Sequence, residues 1–160
     1  MIIIADSSAL IALSTCRSLP LLEQLFDQVC VPQAVYDEVC TLGKVESREL
    51  QQFLHDRVHS VTLENHPVNK PDGLGSGEIE AIALYTKLSA SLLLIDDAKA
   101  KKVAYANGIE VMGSLGVLLM AKKNGLIPQI APLLKLLIAS DVYFGEKIID
   151  KVLTLAEETF

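Results

Sequence analysis

The chain has 160 residues, of which 51% are hydrophobic and 21% are charged, and its formal net charge is −6. A chain of this length typically forms one domain that buries roughly two thirds of its unfolded surface. The composition excludes disordered and fibrous proteins. The negative charge argues against a broad basic surface that binds nucleic acid by releasing counterions. Carboxylates gathered around divalent cations would weaken that objection, because the cations offset part of the charge that a partner meets.

The cysteines and the apolar segments indicate the compartment. The three cysteines are Cys16, Cys30 and Cys40. Their spacing fits neither a zinc site nor a disulfide framework, so we expect reduced thiols. The apolar N-terminal run has no basic residue before it and is interrupted by Asp6, unlike a signal peptide. The apolar stretch 126–139 contains two prolines and a lysine and is too short to span a membrane. We therefore predict a soluble cytoplasmic protein.

The first eight residues predict a buried strand that ends at an acidic residue. Four apolar residues and Ala5 precede Asp6, Ser7 and Ser8, and an apolar-periodic helix follows. In open α/β sheets ligands bind outside the carboxyl ends of the strands, so Asp6 can belong to a site. It can equally be a helix cap, and the stretch alone leaves both interpretations open. No glycine-rich turn follows the strand, which disfavours a P-loop or dinucleotide fold.

A second strand and helix supply another candidate acid. The apolar residues 29–31 predict a short strand, and a helix is expected from Pro32 until Gly43. On this helix Glu38 lies near the edge of the apolar stripe, whereas Asp37 points towards water. We then expect a helix over 46–57, an edge strand over 58–63 and a loop over 64–77.

The helix that begins at Glu78 is apolar almost all round and is expected to pack on both sides. Glu80 falls beside Lys87 on its polar sector, while Glu78 falls within the apolar arc. A carboxylate so placed either favours the helix dipole from the first turn or is drawn inward by a cation. Both interpretations remain open at this point.

The apolar run 91–95 predicts a central parallel strand that ends in Asp96 and Asp97, repeating the opening pattern. The next helix carries Lys99, Lys101 and Lys102, which either contact phosphate or form a solvated face. A fifth strand is expected over 109–112, ending at Gly113 and Ser114. Helices over 116–124, 129–139 and 145–158 complete the chain.

Alternating strands and helices predict a three-layer α/β/α sandwich with a central five-stranded parallel sheet of order 3-2-1-4-5. This order places Asp6 beside Asp96 and Asp97, with Glu38 and Glu78 arriving from neighbouring helices. Carboxylates this close repel one another, so the arrangement demands hard cations such as Mg²⁺ or Mn²⁺. Such ions can serve phosphodiester hydrolysis by activating water and stabilising the leaving oxygen.

Several motifs resemble those of PIN-domain proteins, a ribonuclease family that includes toxins of toxin–antitoxin pairs, over essentially the whole chain. They are Ile-Ala-Asp-Ser-Ser around Asp6, Val-Pro-Gln-Ala-Val-Tyr-Asp-Glu-Val around Glu38, Gly-Ser-Gly-Glu-Ile-Glu-Ala-Ile-Ala-Leu around Glu78, Leu-Leu-Ile-Asp-Asp over 93–97 and Ala-Lys-Lys-Asn-Gly-Leu-Ile-Pro over 121–128. The glycine-rich motif together with the last one is similar to a less characterised subgroup, often described as predicted nucleic-acid-binding proteins.

The resemblance implies a metal-dependent endoribonuclease. Its metal ligands and catalytic residues would be Asp6, Glu38, Glu78, Asp96 and Asp97. The family's third acid is commonly Asp, so either Glu78 or Glu80 can take that place here. The resemblance also implies that Ser7 or Ser8 and Ser114 line the site and contact nucleic acid. Independently of the resemblance, Lys99 is the candidate phosphate contact from the lysine run after Asp97. The rival hypothesis is a non-catalytic nucleic-acid-binding or regulatory module that keeps the fold.

Residues 126–160 are predicted to form a C-terminal helical extension of a single PIN-like domain that covers residues 1–160. Apolar residues in its last helix, such as Ile148 and Leu155, offer more apolar surface than one small sheet needs. We therefore expect a homodimer or an antitoxin-like protein partner, although packing in the core is an equal explanation.

Overall fold

A five-stranded parallel sheet runs through the middle of the protein in the computed structural model, which describes residues 1–41, 43, 45–65, 68 and 73–160. The strands are β1 (Ile2–Ala5), β2 (Gln28–Pro32), β3 (Val58–His59), β4 (Leu92–Leu94) and β5 (Val111–Met112). Their order is β3-β2-β1-β4-β5 and every pairing is parallel. The predicted α/β/α fold and strand order are confirmed.

Helices follow the strands on both faces of the sheet. In the described part of the chain they are α1 (Ser7–Thr15), α2 (Leu21–Leu25), α3 (Gln33–Cys40), α4 (Val45–Leu54), α5 (Ser76–Lys87), α6 (Ala98–Ala106), α7 (Ser114–Lys123), α8 (Ala131–Ile138) and α9 (Glu146–Leu155). Not one of these helices combines the length and the apolar character needed to cross a bilayer.

The sheet separates two hydrophobic cores, and successive residues of β1 point into opposite ones. Ile3 and Ala5 lie in the core shared with α1 to α4 and α7 to α9, whereas Ile4 lies in the core shared with α5 and α6. Side chains alternate across a strand, so a strand covered on both faces is apolar throughout. This explains the uninterrupted apolar run that opens the sequence.

Parallel pairing brings the carboxyl ends of the central strands together. Ala5 pairs with Leu94, and the Asp6 N–H donates to the Leu94 carbonyl over 2.8 Å. On the other side of β1, Ile4 pairs with Cys30 of β2. The helices α1 and α3 begin just after β1 and β2, and α5 packs against both α3 and β1. Three helices therefore meet where β1 ends.

The predicted edge strand over 58–63 is shorter in the structure. Only Val58–His59 pairs with β2, opposite Val31 and Pro32. Strand β2 ends at Pro32 and α3 begins at the next residue, so β2 offers no further residue to extend the ladder.

Some helix boundaries also differ from the prediction. Helix α3 ends at Cys40, and Leu42, which the predicted helix included, lies outside the described residues. Helix α5 begins at Ser76 within the predicted loop 64–77, part of which is likewise outside them. Helix α7 begins at Ser114, two residues earlier than expected, and the short α2 was not predicted. Its five residues are fewer than the length at which hydrophobic periodicity distinguishes a helix.

The last helices, α8 and α9, pack on the same core as α1. Glu158, just after α9, accepts hydrogen bonds from the N–H groups of Ile130 and Ala131 at the start of α8 and from Lys122 Nζ. Burial opposes ionisation of the Glu158 carboxyl, but these hydrogen bonds outweigh it and hold its pKa below the ordinary value. The end of the chain thus caps α8.

Candidate functional site

Asp6 occupies the N-cap position of α1, yet its side chain does not cap the helix. Among the described residues, no hydrogen bond joins the Asp6 carboxylate to the first N–H groups of α1. Asp6 is only 2% exposed, and Oδ2 accepts a hydrogen bond from Ser8 Oγ over 3.1 Å. Oδ1 is buried and has no hydrogen-bond partner within the part of the chain that the structure describes. A buried carboxylate oxygen left without a partner is costly for a folded protein.

The surroundings of Asp6 disfavour its negative charge. Burial contributes most, followed by the charges of Glu78 and Glu38, and together they raise the pKa of Asp6 from 3.8 to about 7 against the opposing hydrogen bonds from Ser8. Strongly perturbed carboxylates beside other acids are typical of functional sites. Asp6, Glu38 and Glu78 therefore form one electrostatic group.

Gly77 makes room for this group. A Cβ atom at Gly77 would lie 3.0 Å from Glu38 Oε2 and 3.9 Å from Asp6 Oδ1. Glu78, the next residue of α5, turns its carboxylate towards the backbone of Gly75, where a Cβ atom would lie 2.6 Å from Oε2. The missing side chains at these two glycines let three carboxylates gather around the N-terminus of α5, whose dipole favours negative charge.

An open cleft of about 690 Å³ lies between α3 and the start of α5, and its lining includes Glu38, Glu78 and Glu80. The predicted place of Glu80, on the polar sector of α5 beside Lys87, is wrong. Its Oε1 accepts a hydrogen bond from the N–H of Ala34 in the first turn of α3, over 3.3 Å, while Lys87 Nζ donates to the carbonyl of Ser60. Glu80 thus stabilises the beginning of α3, and Glu78 is the residue whose charge acts on Asp6.

Asp96, at the end of β4, is connected to Asp6 through Ser8. The Asp96 N–H donates to Ser8 Oγ over 3.0 Å, and the same hydroxyl donates to Asp6. The Asp96 carboxylate accepts hydrogen bonds from the N–H and the hydroxyl of Ser114, both over 2.7 Å. Asp96 is therefore held at the edge of the acidic group by the first residue of α7.

Asp97 is placed differently from its neighbour. It is exposed, and its Oδ2 accepts a hydrogen bond from the N–H of Ala100 over 2.8 Å, which makes it the N-cap of α6. The sequence analysis put five carboxylates in one cleft, whereas the structure brings together Asp6, Glu38 and Glu78, joins Asp96 to them through Ser8, and uses Asp97 as a helix cap.

The residues expected to contact nucleic acid fall into two groups. Ser7 and Ser114 are buried like Asp6, at 6% and 1% exposed, and the Ser114 hydroxyl donates to Asp96. Ser8 is partly exposed, and Lys99 is exposed with its ammonium group beside Gly73. The sequence analysis missed the bridging role of Ser8 and the space left by Gly77. The glycine directly before Glu78 was the available signal for that space.

The donor chemistry fits a hard divalent cation, but the side chains do not form a closed coordination shell. Within the described residues, no three His, Cys, Asp or Glu groups stand in an arrangement that could hold a metal ion. The unpartnered Oδ1 of Asp6 and the nearby Oε2 of Glu38 are oxygen donors of the kind that Mg²⁺ and Mn²⁺ prefer. The residues present therefore fit such an ion by the chemistry of their oxygen donors, although the described side chains are not arranged as a formed metal site.

Replacing Asp6 with Asn should stabilise the metal-free protein at high pH. The folded-state pKa lies above the ordinary value, so between about pH 4 and pH 7 the native state binds more protons than the unfolded state. The parent's free energy of unfolding therefore falls across this window, by about 4 kcal/mol from this group. Urea unfolding with a chelator present should show Asp6→Asn more stable than the parent at about pH 8, with the difference shrinking towards pH 4.

Asp150→Asn, at an exposed position of α9, is the matched control for loss of one charge. If Asp6→Asn and the parent have the same unfolding free energy at both ends of the pH range, the burial of an ionised Asp6 does not cost stability.

Comparison with known proteins agrees with this geometry. No curated protein matches the chain. A family profile described as a PIN domain matches residues 2–158, which is nearly the whole sequence. PIN domains are generally nucleases, and they typically use divalent metal ions. The motifs around Asp6, Glu38 and Glu78 had indicated the same family, and the chain belongs to the PIN-domain family.

Proposed function

We propose that the protein is a metal-dependent endoribonuclease that hydrolyses RNA phosphodiester bonds with Mg²⁺ or Mn²⁺. One observation carries the proposal: the Asp6 carboxylate is buried among other acids, and one of its oxygens has no hydrogen-bond partner in the described part of the chain. Without a bound cation, this buried carboxylate only lowers the free energy of unfolding. A cation would relieve the repulsion and give the free oxygen a partner.

In this proposal the carboxylates bind the cation and the serines orient the carboxylates. Asp6, Glu38 and Glu78 hold the cation, Asp96 completes the site from β4, and Ser8 and Ser114 orient the carboxylates that they contact. The bound cation supplies positive charge that favours deprotonation of a water molecule and stabilises the leaving oxygen. Asp97 acts indirectly, because it fixes the start of α6 directly after the site.

The net charge of the chain is −6, so the chain as a whole does not attract the RNA backbone. In the proposal, local positive side chains attract it instead. Lys99 is exposed, and Lys101 Nζ lies 3.2 Å from the position that a Cβ atom on Gly113 would take, beside Asp96. Both lysines follow β4 and can contact phosphate close to the carboxylates. Their small number is consistent with weak binding that falls with rising salt.

The second candidate is a non-catalytic nucleic-acid-binding or regulatory module. The absence of a closed three-ligand cluster among the described residues favours it, as does the use of Asp97 as a cap. Metal binding separates the two candidates. Calorimetry that detects no binding of millimolar Mg²⁺ or Mn²⁺ by the parent would favour the module and contradict the enzyme.

The proposal predicts metal-dependent cleavage of single-stranded RNA that depends on Asp6 and Glu78. Asp6→Asn and Glu78→Gln should each lower the cleavage rate by about 100-fold or more, because they remove negative ligands of the cation. Glu80→Gln is the matched control, since its amide oxygen can still accept the hydrogen bond from Ala34 N–H. Its cleavage rate should stay close to that of the parent.

Gel analysis of a labelled oligonucleotide, with and without chelator, provides the measurement. Equal rates for the parent and Asp6→Asn would reject the assignment of the site. A large loss in Glu80→Gln together with full activity in Glu78→Gln would move the third ligand from Glu78 to Glu80.

Gly77→Ala should lower activity without lowering stability. The new methyl group would meet Glu38 Oε2 at 3.0 Å, and the exposed Glu38 side chain can yield by moving away from Asp6. Alanine is a better helix former than glycine by about 1 kcal/mol, so the free energy of unfolding should be maintained or increased. Chemical unfolding and the cleavage assay together test this, with Ser76→Ala in the same turn as the control. Full activity in Gly77→Ala would show that Glu38 does not have to approach Asp6.

We also propose that the chain forms a homodimer and acts as the toxin of a toxin–antitoxin pair. Large apolar side chains are exposed on or just after the last two helices, namely Leu136, Ile138, Leu155 and Phe160. Light scattering should find twice the mass of one chain for the parent and the mass of one chain for Ile138→Glu. A parent that is monomeric at every concentration contradicts the dimer, and expression that leaves growth unaffected contradicts the toxin.

A further inference from the structure

A second cleft shares Ser8 and Asp96 with the candidate site, and no residue of α3 lines it. It has a volume of about 490 Å³, and its walls include Ser8, Asp96, Asp97, Tyr143, Phe144 and Ile148. One wall is therefore shared with the candidate catalytic centre, while the other comes from the connection between α8 and α9 and from the start of α9. The cleft therefore adjoins Ser8 and Asp96 of the candidate site.

Tyr143 is the most prominent feature of the apolar wall. It is 87% exposed, whereas Phe144 and Val142 beside it are partly buried and pack against the core. The backbone that carries the tyrosine is thus anchored on both sides, while its ring stands in solvent. A large aromatic side chain this exposed, next to a candidate catalytic centre, is suited to stacking on a flat partner.

The charges of the cleft favour a base over a phosphate. Asp96 and Asp97 lie on one wall, and Glu146 follows Gly145 at the start of α9. Carboxylates repel the phosphodiester backbone, whereas a nucleobase is uncharged and has an apolar face. Stacking on aromatic side chains is the common way in which proteins bind unpaired bases, and it is tolerant of base identity.

We propose that Tyr143 stacks on an unpaired base of the RNA next to the phosphate that lies at the carboxylates. This inference rests on the proposed function for its substrate, and it adds a residue outside the acidic group that selects single-stranded over double-stranded RNA. A base held in a duplex stacks on its neighbours and cannot reach the ring. With a base on Tyr143, the neighbouring phosphate would lie outside this cleft, at the cation that the acidic group would hold, so Tyr143 is a positioning residue.

Binding is measured without divalent cations, so that no cleavage can occur and the result does not depend on catalysis. The chain has no tryptophan and four tyrosines, which makes intrinsic tyrosine fluorescence a direct probe. A short single-stranded oligoribonucleotide should quench the fluorescence of the parent, and a duplex of the same sequence should quench it much less. Tyr143→Ala should weaken binding of the single strand by about tenfold, the expected effect of losing one stacked base.

Two controls separate stacking from other roles of the tyrosine. Tyr143→Phe keeps the ring, so fluorescence anisotropy of a labelled oligonucleotide should show affinity close to that of the parent. Tyr105→Ala removes another exposed tyrosine, on α6, and should leave the affinity unchanged. An abasic oligomer of the same length should bind the parent and Tyr143→Ala equally weakly. Because the Tyr143 side chain is so exposed, the variants should fold normally.

The binding measurements test the contact between Tyr143 and a base, whether or not the protein cleaves RNA. Equal single-strand affinity in the parent and Tyr143→Ala, or equal parent affinity for the abasic oligomer and the normal strand, would overturn it. Binding that depends on the ring in a protein that never cleaves RNA would support the base contact and contradict only the enzyme. If cleavage is found, Tyr143→Ala should raise KM more than it lowers kcat.

Discussion

The pairing of β1 with parallel neighbours on both sides is the constraint on which the rest of the structure depends. It fixes the backbone at Asp6, whose N–H donates to the Leu94 carbonyl, and it directs the start of α1, α3 and α5 to the same edge of the sheet. Asp6 is therefore held by main-chain hydrogen bonds and by packing, whatever the charge of its carboxyl group. The protein can keep an unfavourable carboxylate in place because the sheet, and not the carboxylate, determines its position.

The acidic side chains at this edge of the sheet form two groups, those that accept a hydrogen bond from the backbone N–H of a helix start and those that do not. Asp97 accepts from Ala100, Glu80 from Ala34 and Asp96 from Ser114, so each of these carboxylates stabilises the first turn of a helix. Asp6 is the exception, because its side chain makes no capping hydrogen bond and its Oδ1 has no partner among the described residues. The same chemical group thus stabilises the first turn of a helix at three positions, whereas the Asp6 carboxylate caps none.

The sheet and its strand order could be predicted from the sequence, because both follow from the pattern of apolar runs and helices along the chain. The run before Asp6 and the run before Asp96 predicted adjacent strands, and adjacency predicted neighbouring acids. What pattern could not distinguish was Asp96 from Asp97, or Glu78 from Glu80. These pairs differ by one or two positions in the chain, and their roles depend on side-chain directions and on donors such as Ala34 that are distant in sequence. The space at Gly77 is likewise visible only when α3 is packed against α5.

The cap on α8 has a consequence for how the chain is made. Glu158 follows Ala131 by 27 residues, and until it is synthesised the first N–H groups of α8 have no carboxylate to meet them. Helix α8 also presents Leu134 and Leu137 to the core beside α1, so a nascent chain that ends before Glu158 holds this helix only loosely. The cap joins residues 27 positions apart, so the start of α8 obtains its carboxylate only after the chain has been synthesised as far as Glu158.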